Sequence, residues 1–153
     1  MNPAAGIPIC ETAEDTPSGQ FRWQDIVGLR WQVPISLQDS NGSFVMNQNT
    51  WGLCSTLSDT AGRPIMTVHP TDAVPFRIAG SPVVINNLMP DVAPGSLPVA
   101  YGNWNLAYMI VNRRGVTVQN DPFSAGWCNL FRFDCRIGGA PVCPNAARLL
   151  RIR

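Results

Sequence analysis

Catalysis in this chain would have to come from its cysteines, its histidine and its carboxylates, and their spacing offers little. Cys10, Cys54, Cys128, Cys135 and Cys143 are odd in number and form no Cys-x-x-Cys pair, so neither a disulfide framework nor a zinc site is indicated. Cys128 and Cys135 lie seven apart, which on a continuous strand puts them on opposite faces; buried, inert thiols are expected. His69 is the only histidine. A Cys/His or Ser/His/Asp nucleophile would depend on it alone, in a Pro-flanked loop where a surface residue is the expectation. Glu11, Glu14 and Asp15 share a turn-rich stretch, and the seven other aspartates are isolated, as turn and cap residues are. Gly138-Gly139 has neither the phosphate-loop fingerprint nor a following lysine. All eleven basic residues are arginines, which removes Schiff-base, P-loop and isopeptide lysines. No catalytic, cofactor or metal site is expected, and the chain reads as a non-enzyme.

Composition narrows the alternatives. The 153 residues suit one domain. Charged residues are only 14%, against about 25% in ordinary globular domains. The net charge of +1 is too small for a protein whose main task is gripping phosphates. Thirteen glycines and fourteen prolines make the chain loop-rich, yet below the ~25–30% share of low-complexity disorder. The longest apolar run, residues 106–111, is too short for a membrane helix. The first ten residues have no basic or long apolar stretch, so no secretory leader is expected, and a reducing compartment is the default.

The elements that would carry any site follow from periodicity and punctuation. Residues 1–20 read as an irregular lead-in. Trp23, Ile26, Val27 and Trp31 recur on one helical face, and Pro34 ends that helix. Residues 43–46 are a short strand, after which Asn47 can cap a second helix through about Leu57, with Thr50, Leu53, Cys54 and Leu57 as its stripe. Residues 64–79, with three prolines, read as a long loop. Residues 83–85 are a strand closed by Asn86-Asn87. The runs 106–112 and 115–119 predict a hairpin turning at Arg113-Arg114. Residues 127–137 alternate, with Phe131, Phe133, Cys135 and Ile137 on one face and Arg132, Asp134 and Arg136 on the other. Gly138-Gly139 through Pro144 predicts a turn, and residues 148–153 a last strand. The class is α+β, with two helices in the first 60 residues and a β-rich remainder. Nothing late in the chain supplies a helix to cover the apolar face of 127–137.

The ordered punctuation resembles the C-terminal portion of tailed-phage major capsid proteins of the HK97-like fold. The landmarks are a helix ending near Pro34, Phe44-Val-Met-Asn47 leading into a helix, Gly62-Arg63-Pro64, Gly80-Ser-Pro-Val-Val84 and Met89-Pro90. Tyr101-Gly102-Asn103-Trp104, Ala107-Tyr108, Arg114-Gly115, Asp121-Pro122 and two last strands around 132–139 and 146–152 complete the series, which spans about 20–153. Asn103 stands where family members often carry Asp.

The resemblance implies an axial (A) domain over 1–121, a mixed β-sheet flanked by two helices, followed by C-terminal strands of the peripheral (P) domain over 122–153. The loop 64–76 would be the tip near the capsomer axis. The family's N-terminal arm, extended loop and spine helix have no counterpart here, so a separate chain or missing segment is the expected partner of 122–153. The implied role is structural: a subunit, or C-terminal half, of a major capsid protein of a bacteriophage or prophage. It would self-assemble as pentamers and hexamers of an icosahedral shell enclosing DNA non-specifically, in virions assembled in the bacterial cytoplasm, without a membrane partner. Candidate subunit contacts are Arg63, His69 and Arg77 by the axial loop and Arg113 with Arg114 at the hairpin turn. Arg148, Arg151 and Arg153 are candidates for DNA or for the missing half. The competing readings are a small β-rich binding module and a small Cys/His enzyme. Low charge content suits a subunit that hides surface against its neighbours.

Overall fold

The structure, a computed structural model, describes residues 6–38, 42–58, 76–124 and 126–153. Its elements are β1 (Ile9–Glu11), α1 (Trp23–Gln32), α2 (Ile35–Gln38), β2 (Ser43–Met46), α3 (Gln48–Ser55), β3 (Arg77–Ile78), β4 (Ser81–Ile85) and β5 (Val99–Gly102). Then come α4 (Trp104–Ala107), β6 (Tyr108–Asp121), β7 (Leu130–Pro141), a 3-10 turn at Pro144–Ala146 and β8 (Ala147–Arg151). The α+β class expected from the sequence is what the chain adopts.

Two sheets form. The larger has six strands in the order β1-β8-β5-β2-β4-β3, and the smaller is β6 paired with β7 alone. In the large sheet β1/β8 and β2/β4 are parallel while β2/β5, β5/β8 and β3/β4 are antiparallel, so it is mixed. The two edge strands are the short β1 and β3. Short edges offer little template for unwanted pairing. On one face Phe44, Met46, Val99, Tyr101 and Leu150 pair across the sheet, and they join Ile26 and Leu29 from α1, Val33 just after it and Cys54 from α3 in one buried cluster. Alternation explains the sorting, because cross-strand partners share a face.

The helices form where the sequence gives them ends. The side chain of Asn47 accepts the N–H of Thr50 at 2.7 Å, capping α3. Asp25 closes α1 by accepting the Arg22 N–H at 2.9 Å, and its other oxygen takes the Ala13 N–H at 3.1 Å. At the other end of α1 the amide of Gln38 donates to the carbonyls of Arg30 and Val33 at 2.6 and 2.8 Å, so α2 folds back to satisfy groups that Pro34 leaves open.

Several expectations need correction. The buried face of α1 is Ile26 and Leu29, continued by Val33 just past its end, while Trp31 is 73% exposed; the predicted stripe sits one step off the true one. In α3 Thr50 and Cys54 are buried but Leu53 is half exposed. The irregular lead-in contains β1, and 77–78 of the predicted loop form β3, which returns through Ala79 and Gly80, both at positive φ, into β4. Adjacent left-handed residues give the tight turn of a two-residue hairpin. Residues 64–75 of that loop, with His69, lie outside the described residues, as do 59–63 before it, with Arg63.

The largest correction concerns the predicted hairpin. Arg113 and Arg114 are not at a turn; they sit inside β6, a single strand of 14 residues. Its partner is β7, and the register shifts between Asn112 and Arg114 and again between Arg114 and Thr117. An extra residue in one strand is a bulge, and in sequence a bulge at Arg-Arg-Gly looks like a turn. Likewise Gly138 and Gly139 continue β7 instead of turning. The actual reversal follows Asp121-Pro122.

Candidate interaction surface

Among the described residues, more than half of the exposed large apolar side chains lie on the β6/β7 hairpin. Phe131 pairs with Asn120, Phe133 with Val118, Ile137 with Asn112 and Gly139 with Ile110. Partners point the same way, so these residues, with Tyr108 and Pro141, build one apolar face. Ile110 is 72% exposed, Phe133 66% and Ile137 65%, against values near zero in the main core. An isolated two-stranded ribbon is marginal in water, and a contiguous apolar face of this kind marks an interaction site. Within the face Tyr108 reaches diagonally over Gly139, its hydroxyl 2.6 Å from where a Cβ on that glycine would be.

The opposite face carries charge. Its rows, starting from the hairpin tip, are Asp121 with Leu130, Gln119 with Arg132, Thr117 with Asp134 and Arg114 with Arg136, and the two rows nearest the root, Val111 with Gly138 and Met109 with Ala140, carry no charge. Two arginines directly opposite each other repel. Among the described residues no carboxylate forms an ion pair with Arg113, Arg114, Arg132 or Arg136. At the tip, the Ser124 hydroxyl and the N–H groups of Phe123 and Ser124, the latter two at 3.0 and 3.1 Å, donate to the Asp121 carboxylate. The Ser124 hydroxyl bond, then the backbone bonds, then the Arg132 charge hold its pKa below the usual value.

Of the other predicted arginines that the structure describes, Arg77, Arg148 and Arg151 sit on the six-stranded sheet and Arg153 follows β8. Arg77 is exposed on β3. Arg148 donates to the carbonyls of Asn145 and Ala147 at 3.1 and 2.9 Å. Arg153 pairs with Glu11 at 3.1 Å and Glu14 at 3.4 Å, and Arg151 with Glu11 at 3.7 Å. Those contacts tie β8 to the lead-in. Arg114 is thus gathered with Arg132 and Arg136, and Arg113 lies beside it at the bulge, while Arg148 and Arg151 lie on a different sheet.

Nothing in these surroundings gathers reactive groups. Among the described residues no three His, Cys, Asp or Glu side chains come together to hold a metal ion. Burial pushes the Cys54 thiol up to about 12, and burial also raises Cys10, whose Sγ donates to Gln32 Oε1 at 2.5 Å. Raised thiols are poor nucleophiles at neutral pH. Cys128 and Cys135, expected to be buried, are exposed on the hairpin and its connection.

Missed from sequence were the strand β5 and a latch beside α3. In the latch the amides of Asn47 and Asn49 both donate to the Asp91 carboxylate, at 2.6 and 3.0 Å. An Asn-x-Asn at a helix start, with an aspartate in a later turn, is the only signal it leaves.

Solved structures give this architecture a context. The capsid of a native GTA particle matches at 30% identity and TM-score 0.79, over 95% of this chain and 49% of that one. The capsid of an empty GTA particle matches at 30% and 0.78, over 95% and 50%. A chain from Mycobacterium phage Che8, at 13% identity and TM-score 0.61 over 95% of this chain and 53% of its own, shares the fold. The chain therefore spans about half the length of the structures it matches. Among curated proteins none matches. The model of the phage capsid family matches residues 4–152, nearly the whole of the sequence, and this chain belongs to the phage capsid family.

Proposed function

We propose that the chain is a structural subunit, the C-terminal half of a major capsid protein, which associates with copies of itself into the capsomers of an icosahedral shell enclosing DNA. The observation that carries this reading is the apolar face of the β6/β7 hairpin, uncovered along its length in a chain half as long as the capsid proteins it resembles. A face of that size needs a cover. We assign the cover to the polypeptide that supplies the remaining half, whether a separate chain or a segment continuous with this one. In this reading the six-stranded sheet with α1 and α3 is the axial part and the hairpin belongs to the peripheral part. The sequence division at 121/122 falls at the hairpin's tip, and β8 returns to the axial sheet.

Subunits around a closed axis meet head to tail, through different surfaces of the same chain. Apolar burial would supply most of the free energy, at roughly 25 cal/mol per Å², and arginine-carboxylate contacts the register. Arg63, His69 and Arg77 by the axial loop remain our candidates for contacts about the capsomer axis, and Arg113 and Arg114 for contacts along the hairpin. Of the C-terminal arginines, Arg148 alone lacks a carboxylate partner among the described residues, which leaves it the candidate for the missing half or for DNA. The site of action is the virion, with assembly in the bacterial host's cytoplasm.

The test is electron microscopy of the protein expressed together with its neighbouring reading frames, combined with hydrogen exchange on the protein alone. Shells or capsomers support the proposal, as does rapid exchange of residues 130–141 that slows in the assembly. A persistent monomer whose 130–141 amides are already fully protected would overturn it.

A further inference from the structure

The charged face of the hairpin has a pattern that the apolar face lacks. Over the four rows nearest the tip the sign alternates: Asp121 negative, Arg132 positive, Asp134 negative, then the Arg114 and Arg136 pair positive, before two uncharged rows at the root. Successive rows stand about 6.7 Å apart, two strand residues each. None of these side chains forms an ion pair within the chain among the described residues.

An even number of alternating charges is self-complementary when turned end to end. Let a two-fold axis lie in the plane of the face, across the strands, midway between the rows of Arg132 and Asp134. It sets β7 antiparallel over β7 and β6 over β6. Arg132 of each copy then faces Asp134 of the other, and Arg114 faces Asp121 of the other. A parallel overlay in the same rows sets like over like. Packed sheets stand about 10 Å apart, a gap that a long arginine and a short aspartate fill end to end and two aspartates would leave open.

We propose that this face of the hairpin is a docking surface for a second copy of the chain, with Arg132 meeting Asp134 and Arg114 meeting Asp121 across a two-fold axis. The arrangement gives the Arg114/Arg136 pair the countercharge it lacks within its own chain. The hydrogen bonds from Phe123 and Ser124 fix Asp121 where that countercharge is needed. A polyanion is the poorer fit, because a run of phosphates would meet Asp121 and Asp134 as well as the arginines. The proposal rests on reading the chain as a self-associating capsid subunit, and it adds an isologous contact to the head-to-tail ones.

Charge reversal tests it in the full chain. Sedimentation of the wild type should show association that weakens as salt is raised, since exposed pairs are screened. Arg132→Asp and Asp134→Arg should each weaken association about tenfold or more, because each sets like charges opposite one another. Mixing the two single variants should restore it, as should combining both changes in one chain, for in each case every row again meets its opposite. Association through the apolar face would respond to none of these changes. Thermal melting checks that the exposed substitutions leave the fold intact. Unchanged association in either single variant, or no recovery on mixing, overturns the proposal. So does a gain in duplex DNA binding by Asp134→Arg with association unaltered, which would reassign the arginines to phosphate. Failure here would leave the apolar face and its missing half standing, since co-expression tests those separately.

Discussion

The side-chain amide of Asn47 donates to the carboxylate of Asp91 at 2.6 Å while its carbonyl oxygen caps α3 at the Thr50 N–H. One buried asparagine thus fastens a helix start to a loop 44 residues away. Asn47→Ala should destabilise the protein by about 2 kcal/mol, one cap plus one hydrogen bond to a charged group. Asn47→Asp keeps the cap but sets a second carboxylate against Asp91. Its loss should therefore be smaller at pH 4 than at pH 7, as denaturant unfolding at the two values would show.

Gly102 and Gly139 both lack room for a Cβ, yet they should respond differently to alanine. At Gly102 the new atom would lie 2.7 Å from the Ala146 carbonyl oxygen, at the end of the 3-10 turn, and from Cα and Cβ of Ala147, the first residue of the opposing strand. Overpacking against backbone costs about 1–3 kcal/mol or more, so Gly102→Ala should lower the melting temperature by several degrees or prevent folding. At Gly139 the obstacle is the end of the Tyr108 side chain, which can swing aside into solvent. Gly139→Ala should cost under about 1 kcal/mol by the same melting assay.

Acid should loosen the hairpin tip. Asp121 is held below its ordinary pKa, so it favours the folded turn above about pH 3.9, the unfolded value. That contribution is lost as pH falls through its lower folded pKa. Nuclear magnetic resonance titration should find the Phe123 and Ser124 amide signals moving together with the Asp121 carboxyl, below pH 4. Asp121→Asn should abolish that titration.

Thiol labelling should divide the cysteines by environment. Iodoacetamide at pH 8 should modify Cys128 and Cys135, which are exposed, within minutes and leave Cys54, with its thiol near 12, untouched until the chain unfolds. Peptide mass spectrometry before and after adding denaturant reads the difference. Association with the missing half should also slow labelling of Cys135, whose neighbours Phe133 and Ile137 belong to the apolar face.

Legibility followed the range of the interactions. Asn47 could be read because a cap is a local device: the residue, the preceding strand and the following stripe lie within a dozen positions. The same holds for Pro34 and for the alternation of Phe131, Phe133 and Ile137. Strand β5, Val-Ala-Tyr-Gly, is central and buried on both faces, so it shows no alternation and only four residues. Its identity comes from β2 and β8, more than forty residues away on either side. Arg113-Arg114-Gly115 misled for the same reason, since only pairing with β7 distinguishes a bulge from a turn. The Arg114/Arg136 pair lay equally out of sight, because it exists only once that register is set.

The place of β8 has a consequence for synthesis. This last strand lies between β1, the first, and β5, so the ribosome makes both neighbours before the piece that joins them. Until residues 147–151 emerge, two strand edges stay open and the cluster around Leu150 and Ile152 lacks its centre. The sheet can close only after translation has passed its end, and joining positions some 140 residues apart is the slow kind of contact. A nascent chain is thus kept from completing the six-stranded sheet until residues 147–151 have been made.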